Sequence, residues 1–243
     1  MNTSTYRHNG NTGFRDEDYS APVGKSMWED CPILAAEQDP YMAHVYFNDF
    51  FTYTAADWTI TTCETGAGTA TEALTDEAGG VLLITNDNAD NESDELQKVG
   101  EAFCCTASKP FWLEGRFKVN DTTQSDFFFG LNVTDTTLID GGQDGVWFQK
   151  DDGDKNLDWG TDKDNTASGG LTGKTMENDV WVRLGIKWDG ASTVSFWVDG
   201  EQVASSISNI NDDELMKISF GIQNGEAAAK TLSVDYIKAF QIR

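Results

Sequence analysis

From about Phe47 onward, apolar and polar residues alternate in short runs separated by turn signals. Phe111 to Val119 (FWLEGRFKV) sets Phe111, Leu113, Phe117 and Val119 against Trp112, Glu114, Arg116 and Lys118, the two-residue period of a strand with one apolar face. Asp126 to Val133 repeats it with Phe127, Phe129, Leu131 and Val133. Val180 to Trp188 and Thr193 to Val198 carry matched alternation on either side of Asp189-Gly190, which predicts a hairpin. Further strands are expected at Gly80–Thr85, Leu96–Phe103, Gly145–Lys150, Asn156–Trp159, Met216–Gln223 and Leu232–Gln241. No segment holds helical periodicity over three turns, so the pattern predicts an all-β chain: two antiparallel sheets packed as a sandwich or jelly roll.

The stretch Met1 to Pro40 differs. It has no sustained period, and isolated apolar residues (Phe14, Tyr19, Trp28, Ile33, Leu34) stand in polar surroundings. A solvated tail has no use for such anchors, so residues 1–46 are read as an extended arm that lays them on another surface or a neighbouring subunit. Residues 47–243 are read as one β-sandwich.

Charge narrows the partners. The 243 residues carry 17 Lys+Arg against 41 Asp+Glu, a formal net charge of −24. Nucleic-acid binding relies on clustered Lys and Arg, as does docking on anionic membranes, and no basic run exists. No apolar stretch approaches a bilayer span of about 20 residues, and the first ten residues lack the apolar core of a secretion leader. The expected product is therefore soluble, without nucleic acid or membrane as partner. Cys31, Cys63, Cys104 and Cys105 form neither a CxxC pair nor a His–Cys cluster, which points to reduced thiols packed as small hydrophobes.

Candidate chemistry is sparse. The two histidines, His8 and His44, lie in or beside the arm, so the body has no imidazole for a nucleophile–base device. Glycoside hydrolysis needs two carboxylates across a cleft, which jelly-roll glucanases place on one strand as Glu-x-Asp-x-Glu or Glu-x-Asp-x-x-Glu. Glu92-Ser93-Asp94 begins that pattern, but Leu96 and Gln97 follow where the second Glu is needed. The chain is accordingly expected not to be an enzyme, with glycoside hydrolase the last of three readings. Asp152, Asp154, Asn156 and Asp158 alternate oxygen ligands as calcium loops do. The same residues also read as a tight turn in which Gly153 supplies positive φ, and the turn is preferred. No cofactor is expected, with calcium the one candidate. Trp181 and Trp197 occupy polar faces of neighbouring strands, open to a sugar ring or to protein. Burial against protein, by the arm or a loop, is the preferred reading.

Two motifs carry a resemblance. Trp181 to Gly200 (WVRLGIKWDGASTVSFWVDG) resembles the strand–turn–strand hairpin of the concanavalin A-like lectin/glucanase superfamily, laminin-G-like modules included, and Leu232 to Lys238 (LSVDYIK) resembles its closing strand. Asp76 to Asn86 (DEAGGVLLITN), Lys150 to Asp154 (KDDGD), Asp212 to Leu215 (DDEL) and Ser219 to Leu232 (SFGIQNGEAAAKTL) are similar to recurring blocks of a family of tailed-bacteriophage virion proteins found with the major capsid protein. That likeness covers roughly Trp58 to the C-terminus. It implies a decoration or cement protein, made in the host cytoplasm, that binds the major capsid protein on the outer surface of the virion. A homo-oligomer, a trimer, is the expected state, its N-terminal arms reaching across to neighbours. The alternative is a lectin-like module displayed on the particle for a surface glycan.

Overall fold

The alternating runs are realised as antiparallel strands because each can bury one face only by pairing edge to edge and packing against a second layer. The structure, a computed structural model, describes residues 4–8, 11–15, 26–33, 39–63, 68–139 and 144–243, the first two stretches by backbone alone. The strands in chain order are β1 (Ser4–His8), β2 (Asn11–Arg15), β3 (Ala43–Asn48), β4 (Trp58–Cys63), β5 (Thr71–Leu74) and β6 (Leu82–Thr85). Next come β7 (Ser93–Lys98), β8 (Phe111–Val119), β9 (Ser125–Asn132), β10 (Gly145–Lys150), β11 (Asn156–Lys163) and β12 (Thr166–Thr175). The rest are β13 (Val182–Trp188), β14 (Val194–Val198), β15 (Glu201–Ser206), β16 (Lys217–Asn224) and β17 (Thr231–Ile242).

Two sheets make the sandwich. The seven-stranded sheet runs β12-β11-β10-β9-β16-β7-β4, and the eight-stranded one runs β15-β14-β13-β8-β17-β6-β5 with β3 added beside β17. β1 and β2 form a hairpin of their own, within the stretch expected to lack periodic structure. Strand β3 straddles residue 46 and is hydrogen-bonded to Ile237–Ile242 of β17.

Between the sheets lies one apolar core. Phe117 stands at its centre, with ring centroids 4.5 Å from Phe129, 5.3 Å from Phe127 and 6.3 Å from Phe220, all on the opposite sheet. Leu113, Leu184, Ile186, Phe196, Leu232 and Val234 face Leu96, Leu131, Val146, Phe148, Ile218 and Ile222 across the same layer. Gly115 leaves room for this packing, since a Cβ there would stand 2.6 Å from the Phe117 ring. β17 bulges at Asp235, where its register with β8 shifts, and the bulged residue accepts a 2.6 Å hydrogen bond from Arg116.

Several expected strands differ in extent. The run expected at Leu96–Phe103 is strand only from Ser93 to Lys98, and β4, β5, β12 and β15 had no counterpart in the pattern. The DG hairpin forms between β13 and β14. The Asp152–Asp154 segment is a turn between β10 and β11 with Gly153 at φ +87°. Cys31, Cys104 and Cys105 are buried free thiols, whereas Cys63 is free and exposed. Burial pushes the Cys31 thiol up to about 12.

Replacing Phe117 with Ala leaves a cavity at the point where four aromatic rings meet. The expected loss is about 3–5 kcal/mol of unfolding free energy, measured as a lower denaturant midpoint at unchanged slope.

Candidate functional site

Both sheets have an outer face on which function could be built. On the eight-stranded sheet, the outward residues of β8, β13, β14 and β17 form rows by register: Phe240, Trp112, Lys187 and Ser195 in one, Lys238, Glu114, Gly185 and Trp197 in the next. Residues 26–33 lie across these rows. Met27 and Cys31 pack with Trp112, Trp197 and Phe240, and Trp28 and Ile33 border the cluster. Gly185 makes the contact fit, because a Cβ there would meet the Met27 sulfur at 2.5 Å. Polar contacts fix the orientation. Trp28 Nε1 donates to Glu114 at 3.1 Å, Lys238 stands 4.6 Å from the Trp28 ring centroid, and Lys187 pairs with Asp30 at 3.3 Å. Glu114 also accepts from the Tyr236 hydroxyl at 2.8 Å. Burial, and then this carboxylate, push the Tyr236 hydroxyl far up.

The expected contact residues therefore separate. Trp28, Ile33 and Trp197 meet on this face, within one chain. Trp197 is buried, and its indole donates to Ser195. Trp181 is half-buried outside the cluster, its ring 4.8 Å from both Arg116 and Lys118. Phe14 belongs to β2, of which only the backbone is described, and Tyr19 and Leu34 lie outside the described residues.

On the seven-stranded sheet the glucanase-like run lands on β7, next to the edge. Register sets Gln97 beside Thr59 and Ser219, and Glu95 beside Thr61 and Gly221, on the outward face. Leu96 is in the core, so Asp94, two residues away, faces inward with it. Outward positions on β10 are Gly145, Trp147 and Gln149, and on β9 Phe128, Gly130 and Asn132. The segment after β9 folds over this face. Glu95 accepts from the Leu138 amide at 2.7 Å, Gln97 bonds Val133 and Asp135, and Leu138 packs with Phe128 and Trp147. No described strand carries Glu-x-Asp-x-Glu on that face.

The calcium candidate is a turn closed on itself. Asp154 accepts from both the amide and the side chain of Asn156, and the Asp152 amide donates to Asp126. Burial and the neighbouring Asp152 and Asp151 raise the Asp126 carboxyl to about 6, against the pull of the Asp152 amide and Lys150. Burial also raises Asp158, with Asp151 and Asp154 adding to it. Among the described residues no three His, Cys, Asp or Glu side chains stand ready to hold a metal ion.

Two depressions lie where the sheets meet at their flank. One, about 500 Å³, is lined by Trp159, Ser168, Ser205, Ser206, Ile207 and Ser208 among others. The other, about 360 Å³, includes Cys105, Lys163, Trp188, Asn209 and Asp212. Sequence reading singled out neither, since Trp159 and the serines come together only through contact of β12 with β15.

The chain matches no protein-family model and no curated protein sequence. Solved structures share its fold. An endo-1,3-β-glucanase from Streptomyces sioyaensis aligns over 83% of this chain and 97% of its own at 13% identity, TM-score 0.59. A glycoside hydrolase family 16 protein of Bacteroides ovatus, in complex with a G4G4G3G product, aligns over 80% and 99% at 12% identity, TM-score 0.58. The carbohydrate recognition domain of Emp46p, in potassium-bound form, aligns over 79% and 94% at 13% identity, TM-score 0.50. The chain is thus an all-β jelly roll of the concanavalin A-like kind. The expectation that it is not an enzyme is overturned by these neighbours, which are mainly endo-glucanases and lichenases at 11 to 13% identity. The residue pattern puts hydrolysis last for want of a second Glu after Glu92-Ser93-Asp94, whereas the solved structures that share the fold are mainly glucanases. Nothing among the neighbours points to a capsid protein.

Gly185→Val should displace Met27 and release residues 26–33 while the sheet remains. The expected signs are faster limited proteolysis within that stretch, a red shift in tryptophan emission and an overpacking cost of about 1–3 kcal/mol. Asp126 holds its proton more tightly in the folded state, so its ionisation costs stability as pH rises from the ordinary carboxylate range through about 6. Asp126→Asn should therefore melt higher than wild type at neutral pH, with the difference fading toward a pH of about 4.

Proposed function

We propose that the chain is a structural protein of a tailed-phage particle, binding the major capsid protein on the outside of the assembled shell as a homo-oligomer, a trimer, and stabilising it. The observation that carries this reading is an apolar strip on an open strand edge. Tyr41 is 86% exposed, Val45 51%, Phe47 59% and Phe51 72%, with Met42 between them. Val45 and Phe47 flank Phe240 and Lys238 by register, so the strip extends the apolar face that residues 26–33 cover. On its other side β3 has no strand partner among the described residues. Exposed apolar patches and unpaired edges are surfaces that associate with protein. The resemblance of the blocks at 76–86, 150–154, 212–215 and 219–232 supplies the partner, and the charge of −24 suits an outer surface far from packaged DNA.

Purified protein is expected to bind capsids that lack it and to raise their melting temperature. Phe47→Asp together with Val45→Asp should weaken that binding by about 30-fold or more, as loss of a central contact of about 2 kcal/mol does. Absence of the protein from purified particles, or full binding by the double variant, overturns the reading.

A second reading, binding or hydrolysis of a glucan, is favoured by the fold neighbours and by the Trp159 depression, where one indole stands among serine hydroxyls. A glycan array and an assay for reducing ends released from mixed-linkage β-glucan address it. Signal lost in Trp159→Ala supports it, and a blank array with no release counts against it.

A further inference from the structure

At one flank of the sandwich each sheet ends in an edge strand, β12 of the seven-stranded sheet and β15 of the eight-stranded one. The two depressions at that flank are parts of one groove. Ile207 lines both and is 76% exposed, and Asn209 on the wall of the smaller donates to Ser168 Oγ on the wall of the larger at 2.9 Å. Volumes of about 500 and 360 Å³ each lie within the roughly 300 to 1,000 Å³ of small-molecule sites.

The larger part is built around Trp159. Its indole rests on Phe196, ring centroids 5.2 Å apart, so the core fixes its orientation. The residue registered beside it on β12 is Gly170, where a Cβ would stand 3.7 Å from the indole nitrogen, so the edge strand lays no side chain along the ring. The half-buried indole keeps an open side. The rest of this lining is serine hydroxyl, glycine and alkyl, with no charged side chain in a chain of net charge −24. Its hydroxyls are held in place: Thr161 donates to the Ser208 carbonyl at 2.9 Å and lies 3.2 Å from Ser206 Oγ. Beyond Ile207 the floor is apolar. Trp188 is buried there, its indole nitrogen satisfied by the Thr106 carbonyl at 3.0 Å, and Cys105 is buried beside it. Around that floor stand Ser192, Asn209 and Lys163, whose ammonium is held by Asp212 and, at 3.2 Å, by Asp213.

We propose that this flank groove binds a short neutral β-glucan oligosaccharide, one ring against Trp159 and the next over the Trp188 floor. The inference rests on the glucan reading above and adds where the sugar lies and which charge class is taken. An open indole offers a surface for the C–H face of a sugar ring, and fixed serine hydroxyls with a side-chain amide offer partners for its hydroxyls. A charged sugar gains nothing here, because the lysine on the groove wall already has two carboxylates as partners. Among the described residues that line the groove Asp212 is the one carboxylate, where glycoside hydrolysis needs two. The groove accordingly holds sugar, and any cleavage belongs elsewhere on the chain.

Titrating the full chain with a mixed-linkage β-glucan tetrasaccharide, and separately with a tetrasaccharide of galacturonic acid, tests the proposal by calorimetry and tryptophan fluorescence. Saturable binding of the neutral sugar alone is expected. Trp159→Ala, and Gly170→Leu, which lays a side chain along the indole, should each weaken it about tenfold or more. Gln149→Ala, on the outward face of the seven-stranded sheet, should leave it unchanged. Where Trp159→Ala fails to fold, Gly170→Leu on the exposed edge strand decides. Binding that survives both flank variants overturns the groove while the glucan reading stands, and its loss in Gln149→Ala would move the sugar to the outward face. Equal or tighter binding of the acidic tetrasaccharide overturns the neutral assignment. Absence of saturable binding to either sugar overturns the groove and the glucan reading together.

Discussion

The structure depends on burial of one face from each sheet around Phe117. Its ring meets Phe127, Phe129 and Phe220 of the other sheet, and rows of Leu, Ile and Val continue the contact in both directions. At about 25 cal/mol per Å² of apolar area this layer dominates the favourable energy. Everything with functional character is placed by it, since a strand's outward residues stand where the inward residues lock the register. Glu114 can hold both Trp28 and Tyr236 because Leu113 and Phe117 anchor β8 from the inside.

What could be read from the sequence follows the same logic. Strands β8, β9, β13 and β14 alternate cleanly because one face meets the core and the other meets water or the covering segment. The pattern sets β7 a few residues late because Ser93, Asp94, Glu95 and Gln97 are polar yet buried, enclosed by the 133–139 segment and neighbouring strands. β12, with Gly169, Gly170 and Gly173, offers no apolar period and is strand only through its pairing with β11. Anchors in the N-terminal stretch were legible as apolar residues without local company. Their landing place was not, because the notch at Gly185 comes from sheet register.

The fold neighbours and the residues pull in different directions over chemistry. Glucanases and a carbohydrate recognition domain share the jelly roll, and folds of this kind host many functions through the side chains they display. Here the outward face of the seven-stranded sheet displays Gly145, Trp147 and Gln149 on β10, and the 133–139 segment lies on Phe128 and Trp147.

Strand β17 has a consequence for the order of assembly. It pairs with β8 along one side and with β6 and β3 along the other, and its Phe240 lies beneath the residues that Met27 joins. The covering segment is thus made more than 200 residues before part of its own seat exists. During synthesis the seat of Met27 and Trp28 stays incomplete, and β3 lacks the strand it pairs with, until residues 231–242 have left the ribosome. Such long-range closure makes folding slow and leaves apolar surface open to misassociation meanwhile. The dense negative charge that the chain carries would keep nascent copies apart over that interval.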